Sequence, residues 1–242
     1  ATLGARIAKL TAALPAGSAF VPAKVAAVNH PAARLLLVDK PDATQTYFRI
    51  GMPGIDHTSP DRVPLLIVNT LFGGRFTSMI NEALRVKSGL TYGANSILDQ
   101  DRLTGAIVIT SYTRTDATEK ALDLTLSVLK DLRDKGIDAT MLASAKAYIK
   151  GGFPTQRLET ADQLADVLGE LEFYGLNKGE IDDFFSRIDA VTLEQANAIA
   201  RKYYSDAALQ FCLIGNAQKV EPMVKKYAKD SRTVSIKTPG FF

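Results

Sequence analysis

Short apolar runs with the two-residue period of β-strands occur mainly in the first half of the chain. Arg34–Asp39 (RLLLVD) lies between two prolines, Pro31 and Pro41, which predicts a buried strand. Four further strands are predicted, at Thr44–Met52, Tyr92–Leu98, Leu103–Tyr112 and Leu209–Ile214. The second and third of these four are separated only by a polar turn and are expected to form a hairpin.

Helical patterns surround a glycine pair in the first half. Arg62–Phe72 is apolar and long enough for a buried helix, and Gly73-Gly74 then interrupts the pattern. Residues 75–87 are predicted to form a second helix, whose apolar stripe consists of Phe76, Met79, Ile80, Ala83 and Leu84. Gly89 follows at the position of a left-handed helix cap.

The second half of the chain is mainly helical. Capping boxes are predicted at Asp116/Glu119, Thr160/Gln163 and Thr192/Gln195. Asp138 is expected to begin a helix that stops at Gly151-Gly152, and Glu221–Ala228 is predicted as the last helix. The predicted elements follow a fixed order, with strands early in the chain, helices after them and one strand near the end. This order is typical of an α+β fold with helices packed on one face of a mostly antiparallel sheet.

Length and charge narrow the class of protein. The 242 residues, 46% of them hydrophobic, suffice for a single large domain, predicted over residues 21–232. Residues 1–20 are expected to form a short helix and a linker, and residues 233–242 a tail. The net charge of +3 is too small and too scattered to indicate nucleic acid binding. No uninterrupted apolar run is long enough for a membrane span, and the compartment, periplasmic or cytoplasmic, stays open.

The chain lacks the residues that several kinds of catalytic site require. His30 and His57, the two histidines, each lie beside a turn, and neither belongs to H-E-x-x-H or H-x-x-E-H. Cys212 is the one cysteine, so a thiolate zinc cluster is excluded. G-x-S-x-G and the glycine-rich nucleotide motifs are also missing, and no pair among the many acidic residues can be singled out as an acid/base couple. These patterns therefore identify no metal site, cofactor site or catalytic residue in this chain.

Two polar residues at the end of the helix predicted at 75–87 are candidates for binding. Arg85 points away from the apolar stripe, on a side shared with Ser78, Asn81 and Glu82. Gly89 reverses the chain, so the Arg85 guanidinium and the Tyr92 phenol can converge on one carbonyl oxygen or oxyanion. Alternatively, Arg85 pairs with Glu82 on a solvated face and Tyr92 packs in the sheet.

The segment Leu71–Tyr92 resembles a signature of the C-terminal half of pitrilysin-type zinc peptidases, the family of insulinase and the mitochondrial processing peptidase. Its sequence, LFGGRFTSMINEALRVKSGLTY, contains a Leu-x-Gly-Gly turn, then Phe-[Ser/Thr]-Ser, then Leu-Arg-x-Lys-x-Gly-Leu-x-Tyr. The stretch Val191–Gln195 before the helix that ends at Lys202-Tyr203-Tyr204 also fits. The resemblance covers about Val25 to Ala228.

The resemblance implies that this chain is one of two homologous halves that close around an unfolded peptide substrate. The other half carries H-x-x-E-H and the zinc, either in the same polypeptide or as a separate subunit. Arg85 and Tyr92 are then the substrate-binding residues, while Gly73, Gly74 and Gly89 support the turns around them. This chain lacks H-x-x-E-H and is expected to be inactive alone. A purely structural subunit and a peptide-binding module remain as alternatives.

Overall fold

A computed structural model describes residues 2–15, 17, 18, 21 and 30–240. The first helix, α1 (Leu3–Ala12), begins where the Thr2 side chain accepts a hydrogen bond from the Ala5 N–H, and its side chains are all exposed. Part of the predicted linker, and Val25, lie outside the described residues.

In the described part of the chain, six strands form one mixed sheet. They are β1 (Arg34–Asp39), β2 (Gln45–Pro53), β3 (Ala94–Gln100), β4 (Gly105–Arg114), β5 (Gln210–Gly215) and β6 (Asp230–Ser235). The spatial order is β3-β4-β2-β5-β1-β6. The three pairings from β3 to β5 are antiparallel, and the two that involve β1 are parallel. The predicted α+β fold with a mostly antiparallel sheet is confirmed.

The two faces of the sheet differ in burial. On one face, side chains such as Phe48, Ile50, Ile107 and Leu213 are buried in the single core that the helices complete. On the other face of β2 and β5, Tyr47, Arg49 and Ile214 are exposed. Helices therefore cover one face and leave the other open in the described part of the chain.

The helices after α1 are mostly in the second half of the chain. They are α2 (Arg62–Asn69), α3 (Met79–Asn81), α4 (Thr118–Lys135), α5 (Ala139–Arg157), α6 (Ala161–Tyr174), α7 (Gly179–Asp182), α8 (Phe184–Ala190), α9 (Leu193–Tyr203) and α10 (Ala217–Val224). The capping boxes predicted at Thr160/Gln163 and Thr192/Gln195 both form. Gly136 (φ 69°) and Gly175 (φ 67°) end α4 and α6 in conformations that favour glycine.

Three sequence-based expectations for the second half were wrong. α4 follows a 3₁₀ turn and begins without a side-chain cap, so the Asp116/Glu119 box does not form, and Asp116 pairs with Arg114 instead. α5 continues through Gly151-Gly152, although each glycine costs about 1 kcal/mol inside a helix. Phe153, directly after the two glycines, stacks on Phe184 with 4.1 Å between ring centroids. An additional strand, β6, pairs with β1 and includes residues predicted as tail.

The stretch Arg62–Lys87 is apolar and long enough to cross a membrane by length and composition, although it has no uninterrupted apolar run. Most of its apolar window is buried, and Leu65, Ile67 and Phe72 lie in the core with no exposed surface. We therefore interpret the stretch as a core element of the domain.

Candidate functional site

The segment Leu71–Tyr92 differs from the helix predicted over residues 75–87. α2 ends in a π-helical turn at Thr70–Gly74, α3 begins only at Met79, and a second π-helical turn follows at Glu82–Lys87. Ile80 and Leu84 are buried as predicted, but Phe76 lies before the helix and is 61% exposed. The π-turns change the helical period, and such turns occur frequently at functional sites.

Gly73 and Gly74 form the first π-turn, against β3. A Cβ on Gly73 would lie 2.4 Å from the Ser96 backbone nitrogen, so only glycine allows this contact between the turn and β3. A Cβ on Gly74 would be less severely crowded, since it would lie 3.2 Å from the Asn69 carbonyl oxygen. Asn69 Nδ2 donates to the Ser96 carbonyl at 2.9 Å, which fixes the same approach.

Ser78 and Asn81 were predicted on the polar side of the helix that Arg85 shares, but both are buried. The Asn81 side chain donates to the Phe76 carbonyl at 2.6 Å and accepts from the Ala94 N–H at 3.2 Å. It thereby joins the loop that carries Phe76 to the start of β3. An amphipathic pattern cannot distinguish such a buried amide from a solvated one.

Gly89 follows the second π-turn and reverses the chain. Its φ is 63°, a left-handed conformation, and its N–H donates to the Arg85 carbonyl at 3.1 Å. The Leu90 N–H donates to the Leu84 carbonyl at 2.8 Å. These two bonds fix the backbone directly after Arg85.

The loop around Tyr92 is held by hydroxyl groups of β4. Thr113 Oγ1 donates to the Leu90 carbonyl at 2.7 Å, and Ser111 Oγ donates to the Gly93 carbonyl at 2.9 Å. Tyr92 itself is 79% exposed. A firmly held backbone thus presents a phenol to solvent, and the alternative that Tyr92 packs in the sheet is wrong.

The Arg85 side chain is exposed and lies against Phe76, with 4.8 Å between Cζ and the ring centroid. Glu82 forms its ion pair with Lys87 at 3.8 Å, so the alternative pairing of Glu82 with Arg85 is not observed. Among the described residues, no carboxylate lies within ion-pair distance of Arg85. Its N–H groups therefore face solvent without a competing anion.

Arg85 and Tyr92 line the same groove, whose volume is about 450 Å³. A second groove of about 630 Å³ adjoins it, and the two share Arg85 and Tyr112. The sequence pattern missed Phe76 and Tyr112 as groove residues. Tyr112 stacks on Tyr47 with 5.1 Å between ring centroids. Its position in the predicted strand, alternating with buried residues, was the sequence signal that could have identified it.

The histidines do not suit a zinc site. His57 stacks on Tyr174 at 4.0 Å and its Nε2 accepts from Arg62 Nη1 at 3.3 Å, while His30 contacts Arg34. The described residues contain no cluster of three or more metal-ligating side chains. Burial of the ring, and then the Arg62 guanidinium, lower the pKa of His57.

Comparison with known protein families identifies the family of this chain. Residues 6–149, more than half of the chain, match the family described as the peptidase M16 inactive domain. The chain belongs to this family. The resemblance to pitrilysin-type zinc peptidases is thereby confirmed, and assignment to the inactive domain supports the prediction that no zinc is bound by this chain.

Relatives and solved structures agree with this assignment. An uncharacterized zinc protease of Mycobacterium tuberculosis is 29% identical over 173 residues, which cover 71% of this chain and 39% of the relative. The non-peptidase homolog YmxG of Helicobacter pylori is 22% identical over 179 residues, or 74% of this chain and 41% of the relative. The chain thus spans about two fifths of the length of these curated relatives.

The crystal structure of a peptidase M16 inactive domain from Pseudomonas fluorescens superposes with a TM-score of 0.78 at 27% identity, over 87% of this chain and 49% of the other. A chain of complex III from Candida albicans has the same fold, with a TM-score of 0.67 at 14% identity, over 83% of this chain and 50% of the other.

Proposed function

We propose that this chain is the non-catalytic, substrate-binding half of a pitrilysin-type zinc metallopeptidase, in which Arg85 and Tyr92 hold the substrate backbone near the scissile bond. The observation that carries the proposal is their shared groove, in which both side chains project from backbone fixed by hydrogen bonds. Arg85 also has no carboxylate partner among the described residues, so its donors are available to a ligand.

The two side chains suit this role chemically. A guanidinium and a phenol both donate hydrogen bonds, and neither has to transfer a proton to stabilise a carbonyl oxygen or an oxyanion. Phe76 lies under the guanidinium and limits its orientations, so less rotamer freedom is lost when a substrate binds. Each such donor typically contributes about 2.7–4 kcal/mol to transition-state stabilisation.

The reaction itself requires a zinc-bearing homologous half. That half supplies the metal, while this chain binds and orients the unfolded peptide. The open sheet face with Tyr47, Arg49 and Ile214 supports such an arrangement, because an exposed face with aliphatic and aromatic side chains suits a surface covered by a partner or a substrate.

The test uses the chain assembled with its zinc-bearing half and an unfolded peptide substrate. Arg85→Ala and Tyr92→Phe are each expected to lower kcat/KM by about a hundredfold, with unchanged zinc content and unchanged assembly. Arg201→Ala, on the exposed side of α9, is the matched control and should retain wild-type activity. Full activity in both groove variants would exclude the proposed role.

A structural subunit is the second candidate, because one relative carries the name non-peptidase homolog. In that case Arg85 and Tyr92 variants would leave assembly intact, and no peptide would be cleaved even by the wild-type complex. Zinc-dependent cleavage by the assembled protein separates the two candidates directly.

A further inference from the structure

The two adjoining grooves have an uneven distribution of charge. Arg75, Arg85 and Arg114 line them, whereas no aspartate or glutamate does so in the part of the chain that the structure describes. The aromatic side chains of Phe76, Tyr112 and Tyr148 line the same surface. We name the combined surface of both grooves the arginine-aromatic groove.

The partners of Arg75 are neutral. Its Nη1 donates to the Ser144 hydroxyl at 3.0 Å and lies 3.3 Å from the Ser144 carbonyl oxygen, and its Cζ lies 5.8 Å from the centre of the Tyr148 ring. Its Nε is buried and has no hydrogen-bond partner among the described residues. The guanidinium is therefore held in place without neutralisation of its charge.

Several arginines elsewhere in the fold are paired with carboxylates. On the helical side, Arg62 and Arg187 both pair with Glu180, and Arg157 pairs with Glu170. At the groove itself, Arg114 pairs with Asp116 at 3.1 Å, with both side chains largely exposed. Arg75 and Arg85 have no carboxylate partner among the described residues and place two positive charges on one aromatic-lined surface.

Such a surface favours carboxylates. A guanidinium whose charge is not neutralised attracts a carboxylate and can donate a charge-assisted hydrogen bond to it, whereas a lysine side chain of a ligand would be repelled. Because the proposed function assigns Arg85 to the substrate backbone, Arg75 is the groove cation whose charge is available to a side chain of the substrate.

We propose that the arginine-aromatic groove selects peptide segments with an acidic side chain near the scissile bond, and that Arg75 is the specificity-determining residue. This inference rests on the proposed function of Arg85 and Tyr92. It adds the substrate class, an acidic stretch of unfolded peptide, and a residue for which the family assignment gives no role.

The test uses the assembled protease and a set of peptides that differ only in one residue, Glu, Gln or Lys, placed in turn at each position flanking the cleaved bond. At one position at least, the wild type is expected to cleave the Glu peptide about three- to tenfold better than the Gln peptide, and the Lys peptide least well. The preference should decrease as the salt concentration rises.

Arg75→Glu is the decisive variant, because it should invert the preference toward Lys at that same position, a result that partial unfolding cannot imitate. Arg75→Lys keeps the charge and should retain part of the preference for Glu. Arg201→Glu is the matched control and should leave the order of the three peptides unchanged.

Two results would overturn the inference: equal cleavage of Glu and Lys peptides by the wild type, or an Arg75→Glu variant with the wild-type order. Its failure is distinguishable from failure of the proposed function. The proposed function predicts that Arg85→Ala slows cleavage of every peptide by a similar factor, whereas Arg75→Glu is expected to change the ratio between peptides.

Discussion

The guanidinium of Arg85 lies over the ring of Phe76, with 4.8 Å between Cζ and the ring centroid. The two residues belong to different local structures, since Phe76 precedes α3 and Arg85 lies in the π-turn that follows it. Both residues line the arginine-aromatic groove, and the contact assigns Phe76 a role in orienting Arg85.

Removal of the Phe76 ring should therefore affect binding more than folding. Phe76→Ala is expected to lower kcat/KM of the assembled protease about two- to fivefold, because an exposed cation–π contact contributes about 0.5–1 kcal/mol. The free energy of unfolding of the chain should change by no more than about 0.5 kcal/mol, since the ring is 61% exposed. Steady-state kinetics and urea unfolding measure the two effects separately.

Phe76→Tyr keeps the aromatic face and serves as the control, with activity close to that of the wild type. A loss of several kcal/mol of stability in Phe76→Ala would instead indicate that the ring is buried, as the apolar stripe over residues 75–87 predicted. That result would contradict the position of Phe76 described above.

The error at Phe76 shows where periodicity stops being informative. Ile80 and Leu84 follow the α-helical period and are buried, but Phe76 lies in the loop that precedes Met79. Two contacts with the distant strand β3 hold this loop, the approach of Gly73 to Ser96 and the hydrogen bond from the Ala94 N–H to the Asn81 side chain. Spacing within one segment contains no information about such contacts.

Several features with a local cause were predicted correctly. Gly89 adopts the left-handed conformation expected of a helix cap, and the boxes at Thr160/Gln163 and Thr192/Gln195 need only residues three apart. By contrast, β6 (DSRTVS) has one buried residue, Val234, and is a strand because it pairs with β1. An edge strand with so little apolar character has no clear signal in its own sequence.

Gly73 offers a direct test of the contact between the π-turn and β3. Gly73→Ala is expected to lower the free energy of unfolding by about 1–3 kcal/mol, because its Cβ would lie 2.4 Å from the Ser96 nitrogen and the backbone would have to shift. Gly151→Ala, inside α5 with no atom within 4 Å of the added Cβ, is the matched control. It should stabilise the chain by up to about 1 kcal/mol, and urea unfolding measures both.

Equal stability of Gly73→Ala and the wild type would mean that β3 and the turn are not in contact. Because that contact positions the loop before α3, Gly73→Ala is also expected to weaken activity in the assembled protease, whereas Gly151→Ala should not.

The pH dependence of stability provides a test of the surroundings of His57. Burial of the ring, and then the Arg62 guanidinium, lower its pKa in the folded chain, so the unfolded chain binds a proton more readily. The resulting stability is fully present above the unfolded pKa of about 6.5 and is lost as the pH falls through that value toward the folded pKa. Between about pH 7.5 and 5.5 the free energy of unfolding should therefore decrease, by at most about 1.4 kcal/mol per pH unit for this one proton.

Urea unfolding at several pH values checks this expectation. His57→Gln should show a flatter profile over the same range, because the titrating group is gone while an amide can still accept a hydrogen bond from Arg62. His30→Gln leaves His57 in place and should retain the wild-type slope. An unchanged slope in His57→Gln would place the source of the pH dependence elsewhere and would contradict a neutral His57 held between Arg62 and Tyr174.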